Sequence, residues 1–123
     1  MPRILIVDDE PMLRTTMRRM LAPTGYEIEE AEDGHEALKR YRENPAELII
    51  CDVFMPEKDG LEVIRSLTAE YESVKVIAIS GGGFNGEMDL LSAARHFGAA
   101  AILYKPFDQA DLLTIVNQFI VPA

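Results

Sequence analysis

Four short apolar runs, rich in β-branched residues, each stop dead at a polar group, and this pattern constrains the chain more than any other feature. Ile4 to Val7 run into Asp8, Asp9 and Glu10; Leu48 to Cys51 end at Asp52; the segment SVKVIAIS ends at Ser80; AAILY ends at Lys105. A fifth segment, YEIEEA, has strand character with only weak amphipathicity. Between these runs lie segments with helical spacing. Their inner stripes are Leu13, Met17, Met20 and Leu21, then Ala37, Leu38 and Tyr41, then Leu61, Ile64 and Leu67, then Met88, Leu91 and Ala94, and finally Leu112, Val116 and Phe119. Pro23, Thr24 and Gly25 stop the first helix, and Pro45 closes the second.

Strands that are apolar on both faces need cover on both faces, and the alternation of strand with helix supplies it through right-handed crossovers. Five units are too few for an eight-stranded barrel. The expected architecture is α/β: a doubly wound, flavodoxin-like (βα)5 three-layer sandwich whose five-stranded parallel sheet has the order 2-1-3-4-5. The polar YEIEEA segment suits an edge position in that sheet.

At 123 residues with 48% hydrophobic composition, the chain has the apolar content for one full core, so a single domain over 1–123 with no output domain is expected. Acidic residues outnumber basic ones 21 to 12, for a net charge of -9, which argues against direct nucleic-acid binding and attraction to anionic membranes. No apolar run reaches the roughly 20 residues of a membrane helix, so no membrane insertion is expected. No basic leader is expected at the start of the chain, and the lone Cys51 excludes an intramolecular disulfide. The expected location is cytoplasmic.

Parallel strands place all their carboxyl ends on one rim, with the topological switch between the first and third strands. The rim therefore gathers Asp8, Asp9, Asp52, Ser80 and Lys105. Three carboxylates at one crevice repel one another unless a cation joins them. Oxygen-only ligation without histidine or cysteine favours magnesium, Mg2+. A hydroxyl and an ammonium are poor ligands for that ion but good partners for phosphoryl oxygens, so the rim points to phosphoryl transfer to or from a carboxylate. His35 and His96 read as surface residues, and Cys51 as a buried structural thiol. Gly81, Gly82 and Gly83 fit no dinucleotide-binding fingerprint.

The DDE at 8–10, the DVFMPEKDG run at 52–60, Ser80 at its strand end and the KPF at 105–107 together resemble the signature of bacterial response-regulator receiver domains, over almost the whole chain. The resemblance implies that Asp52 is the phosphoacceptor, receiving a phosphoryl group from a sensor histidine kinase or a histidine phosphotransfer protein. It implies a magnesium site made by Asp9, Asp52 and the backbone carbonyl of Phe54, with Asp8 acting through water. Ser80 and Lys105 correspond to the hydroxyl and ammonium that meet the phosphoryl group, Gly81 and Pro106 support them, and an unusual peptide bond is implied before Pro106.

Two positions depart from the family pattern: Ile102 stands where an aromatic switch residue is common, and is expected to act as a passive packing residue, while Phe54, two residues after Asp52, is bulky and apolar and together with the small Gly82 bears on water access to the phosphoryl group. The chemistry implied is restricted to the chain's own phosphorylation and dephosphorylation. A downstream protein is expected to read the face made by the fourth helix, fifth strand and fifth helix. Two alternatives are a degenerate pseudo-receiver serving only as an interaction module, and a small phosphatase or binding enzyme of the same fold.

Overall fold

The computed structural model describes residues 2–52, 60–71, 74–80 and 98–120. Its strands are β1 (Arg3–Val7), β2 (Glu27–Ala31), β3 (Leu48–Asp52), β4 (Val76–Ser80) and β5 (Ala101–Tyr104), interleaved with helices α1 (Pro11–Leu21), α2 (Gly34–Glu43) and α3 (Gly60–Glu70) and followed by a C-terminal helix, Gln109–Val116. All strand pairs are parallel, and the sheet order is β2-β1-β3-β4-β5, as the alternation of elements predicts. The fourth helical stripe, with Met88, Leu91, Ala94 and His96, lies outside the described residues, as do Phe54, Gly81, Gly82 and Gly83.

Strand side chains alternate between two cores, as the two-residue period requires. Leu5, Val7, Ile49, Cys51, Val76 and Ala78 join Ala37, Tyr41, Ile64 and Leu67 on the α2 and α3 side. Ile4, Ile6, Leu48, Ile50, Ile77 and Ile79 meet Met17, Leu21, Leu112 and Val116 on the other. Each buried Leu or Ile contributes about 1.5–3 kcal/mol of transfer free energy, and this term holds the three layers together.

The helix ends follow local chemistry. Asp33 caps α2 by accepting from the Glu36 amide at 2.8 Å, and Asp108 forms a reciprocal capping box with Asp111. Helix α1 passes into a 3-10 turn at Ala22–Thr24, which Gly25 closes in the left-handed region at φ 75°. The C-terminal helix is shorter than its apolar spacing predicts. It ends at Val116, and Phe119 and Ile120 follow in turns whose amides bond back to the Val116 carbonyl.

The edge strand β2 is tied down by charge. Arg3 pairs with Glu27 at 3.0 Å and Glu29 at 2.7 Å, while Arg14 and Arg18 share Glu30 at 3.0 and 2.8 Å. The Arg14 and Arg18 hydrogen bonds hold the Glu30 carboxyl below its ordinary range against the opposing cost of its burial.

Candidate functional site

β1 and β3 are adjacent, with Val7 opposite Cys51, so Asp8 and Asp52 leave neighbouring strand ends side by side. Asp9 follows in the loop and is exposed, whereas Asp8 and Asp52 are buried. One carboxylate oxygen from each of the three lies within 4.8 Å of the others. Lys105 enters from the end of β5, its Nζ donating to Asp52 Oδ2 at 3.0 Å. Strand order thus brings the sequence-predicted carboxylates and lysine to one rim.

Asp8 is clamped on nearly every polar atom. Its amide donates to the Ala31 carbonyl at 3.1 Å, its Oδ1 accepts from the Glu10 amide at 2.8 Å, and its carbonyl accepts from Arg14 Nη1 at 2.5 Å. The remaining atom, Oδ2, is buried without a hydrogen-bond donor. Burial pushes the Asp8 carboxyl up to about 7. The nearby Asp52 charge pushes the same way, while the Glu10 amide bond and the Lys105 charge oppose it.

These features fit a hard divalent cation. The donors are all oxygen, the three carboxylates converge, and an orphaned buried acceptor faces uncompensated repulsion. Magnesium, which prefers a few carboxylates together with waters and phosphate oxygens, matches this donor set.

Ser80 closes β4 with its Cα in register with Tyr104 of β5, and the preceding Ile79 pairs with Asp52. Ser80 therefore stands at the same rim as the triad. The Lys105–Pro106 peptide bond is cis, the unusual bond that the resemblance implies. Ile102 is half-buried against the core on the α2 and α3 side, and Tyr104, next to the lysine, is half exposed. His35 is exposed and Cys51 fully buried, as their sequence contexts predict. Among the described residues, no helix is long and apolar enough to cross a membrane.

Sequence reasoning passes over Arg14, because an arginine on the polar face of an amphipathic helix reads as a solvated charge. Its position five residues beyond Asp9, one helical turn into α1, is the available signal. Helical side chains lean toward the amino end, and from there a long one reaches the strand terminus.

A doubly wound parallel sheet with a carboxylate triad and a lysine at its switch-point rim defines a phosphoryl-accepting signalling module. The family model for the response regulator receiver domain matches residues 4–117, and the chain belongs to that family. It is 38% identical over 112 residues to the chemotaxis protein CheY of Listeria monocytogenes, covering 90% of this chain and 91% of that protein. It is 36% identical over 116 residues to the transcriptional regulatory protein PdtaR of Mycobacterium tuberculosis, covering 94% of this chain but 55% of that one. Among solved structures, the response regulator TrrA of Thermotoga maritima in complex with Mg2+ and BeF superposes with a TM-score of 0.84 at 32% identity, covering 98% of this chain and 100% of TrrA. The chain is accordingly a receiver domain of two-component signalling, and its acidic cluster is consistent with the phosphorylation and dephosphorylation chemistry typical of this family.

Proposed function

We propose that Asp52 is the phosphoacceptor and that Lys105 and Ser80 meet the phosphoryl group it takes up. The observation that carries this reading is the 3.0 Å ion pair between Lys105 Nζ and Asp52 Oδ2 inside the acidic triad. A carboxylate oxygen of Asp52 attacks the phosphorus of a phosphohistidine. The new O–P bond forms as the P–N bond breaks, and the electron pair leaves with the imidazole nitrogen of the donor. Lys105, a compact cation on a partly buried stem, then exchanges its carboxylate oxygen for a phosphoryl oxygen and keeps a charge-assisted bond throughout.

Magnesium would be held by Asp9, Asp52 and the backbone carbonyl of Phe54, with Asp8 contributing through water. When bound it offsets the charge of the carboxylates and of the incoming phosphoryl oxygens. Clamping of Asp8 by the Ala31 carbonyl and the Glu10 amide keeps that carboxylate pointed at the triad. Ser80 donates a hydroxyl bond to a phosphoryl oxygen, with Gly81 and Pro106 as the supporting residues that the family resemblance implies. The donor is a sensor histidine kinase or a histidine phosphotransfer protein, in keeping with the family.

The downstream partner reads the face that the sequence pattern assigns to the fourth helical stripe, β5 and the C-terminal helix, with Ile102 serving as packing and not as a moving switch. A pseudo-receiver that has lost its chemistry is disfavoured by the retention of all three carboxylates and the lysine in one cluster. Incubation with acetyl phosphate and magnesium followed by intact-mass analysis tests the reading. A single acid-labile phosphoryl increment, absent from Asp52→Asn, is expected; an unchanged wild-type mass under conditions where beryllofluoride binds would refute it.

A further inference from the structure

Arg14, on α1, reaches the backbone of Asp8 at the edge of the triad. Its guanidinium is mostly buried, with Nη1 donating to the Asp8 carbonyl at 2.5 Å and Nε to Glu30 at 3.0 Å. Its own backbone amide bonds the Glu10 carbonyl at 3.2 Å, so the residue that closes the first turn of α1 also grips the loop leading into it. The neighbouring Arg18 shares Glu30 at 2.8 Å and donates to the Ile28 carbonyl at 3.2 Å, with no bond to the acidic loop. Two arginines therefore make the same link to β2, and one of them additionally holds Asp8.

We infer that Arg14 is a positioning residue for cation binding: its bond to the Asp8 carbonyl fixes the Asp8–Asp9 peptide and sets the two adjacent carboxylates toward Asp52. The inference rests on the magnesium reading of the triad. Three converging carboxylates relax apart unless the backbone that carries them is held, and the hold must act on the peptide between Asp8 and Asp9, since that plane directs both side chains. The Ala31 carbonyl restrains the Asp8 amide on one side of the residue, and Arg14 restrains its carbonyl on the other. Partners that orient ligands without touching the metal commonly govern affinity by about 10–100-fold.

The test is magnesium titration by calorimetry on the full chain and on Arg14→Ala, Arg14→Gln, Arg14→Lys and Arg18→Ala, with the amide resonance of Asp9 followed by NMR. Wild type is expected to bind, Arg14→Ala and Arg14→Gln to lose about tenfold or more in affinity with a displaced Asp9 resonance, and Arg14→Lys to recover most of it. Arg18→Ala, which loses the same glutamate link, is expected to bind as wild type does. If Arg14→Ala fails to fold, the glutamine and lysine variants carry the comparison. Equal affinity in wild type and Arg14→Gln, or an equal loss in Arg18→Ala, overturns the inference. Absence of binding by wild type itself would instead overturn the magnesium reading beneath it.

Discussion

Lys105, from the end of β5, lies 3.0 Å from Asp52 at the end of β3, although β4 stands between their strands in the sheet. A lysine stem spans that gap where a shorter cation would not, and the pair is only partly exposed, at 26% and 8% for the two side chains. Replacing Lys105 by Gln removes the cation whose Nζ bonds the Asp52 carboxylate. A charge-assisted bond of this kind is worth about 1.5–3 kcal/mol, so phosphorylation of Lys105→Gln by acetyl phosphate is expected to slow by roughly 10–100-fold. Time courses of intact mass check this, with circular dichroism confirming the fold.

Asp8 makes the metal-free protein pH-sensitive. Its folded-state carboxyl sits at about 7 against an ordinary 3.8, so the folded state holds the proton more tightly than the unfolded chain. Stability from this group is present below about pH 4, falls as pH rises toward 7, and stays lost above it. Asp8→Asn keeps an oxygen for the Glu10 amide but carries no charge. Its stability advantage over wild type is expected to grow from pH 4 to 7 and then level off, at no more than about 4 kcal/mol. Urea melts across that range without metal measure the difference, and a flat difference would show that the carboxyl is not perturbed.

Magnesium is expected to stabilise wild type by binding only the folded triad. With Kd of about 1 mM, 10 mM ion adds roughly 1.4 kcal/mol by mass action. Asp9→Ala should lose most of this rise while matching or exceeding wild type in metal-free melting, because one of the repelling charges is gone. Melting curves with and without magnesium decide it; an equal rise in both proteins would remove Asp9 from the ligand set.

Gly98 has φ 120°, and a Cβ there would fall 2.8 Å from Thr68 Cγ2 and 2.9 Å from Thr68 Cβ, on the helix that packs beside β5's entry. Gly98→Ala therefore strains both backbone and packing, with an expected cost of about 1–3 kcal/mol. Adding Thr68→Ala should relieve only part of it, since the alanine keeps the Cβ at 2.9 Å and the backbone strain remains. Denaturant unfolding of the single and double variants tests this, and full recovery in the double variant would mean the backbone term is absent.

The sheet was legible in the sequence because apolar runs such as Ile4–Val7 and Leu48–Cys51 are long enough to demand burial on both faces, and their polar stops mark one rim. The same polar stops put Asp8, Asp9, Asp52, Ser80 and Lys105 on that rim. Side-chain reach was not legible. Helical periodicity assigns Arg14 to a polar face, but whether a guanidinium ends in solvent or on the Asp8 carbonyl depends on how α1 is placed against β1 and β2. The early end of the C-terminal helix was hidden for a related reason, since Phe119 and Ile120 meet the core from turns at spacings that a helix would also satisfy.

The central claim, that Asp52 and not its neighbours accepts the phosphoryl group, is tested most directly by locating the acyl phosphate. Borohydride reduces a phosphorylated aspartate to homoserine, which marks the modified position permanently for peptide sequencing. After treatment with acetyl phosphate and magnesium, homoserine is expected at position 52 alone. Homoserine at position 8 or 9, with aspartate intact at 52, would contradict the account.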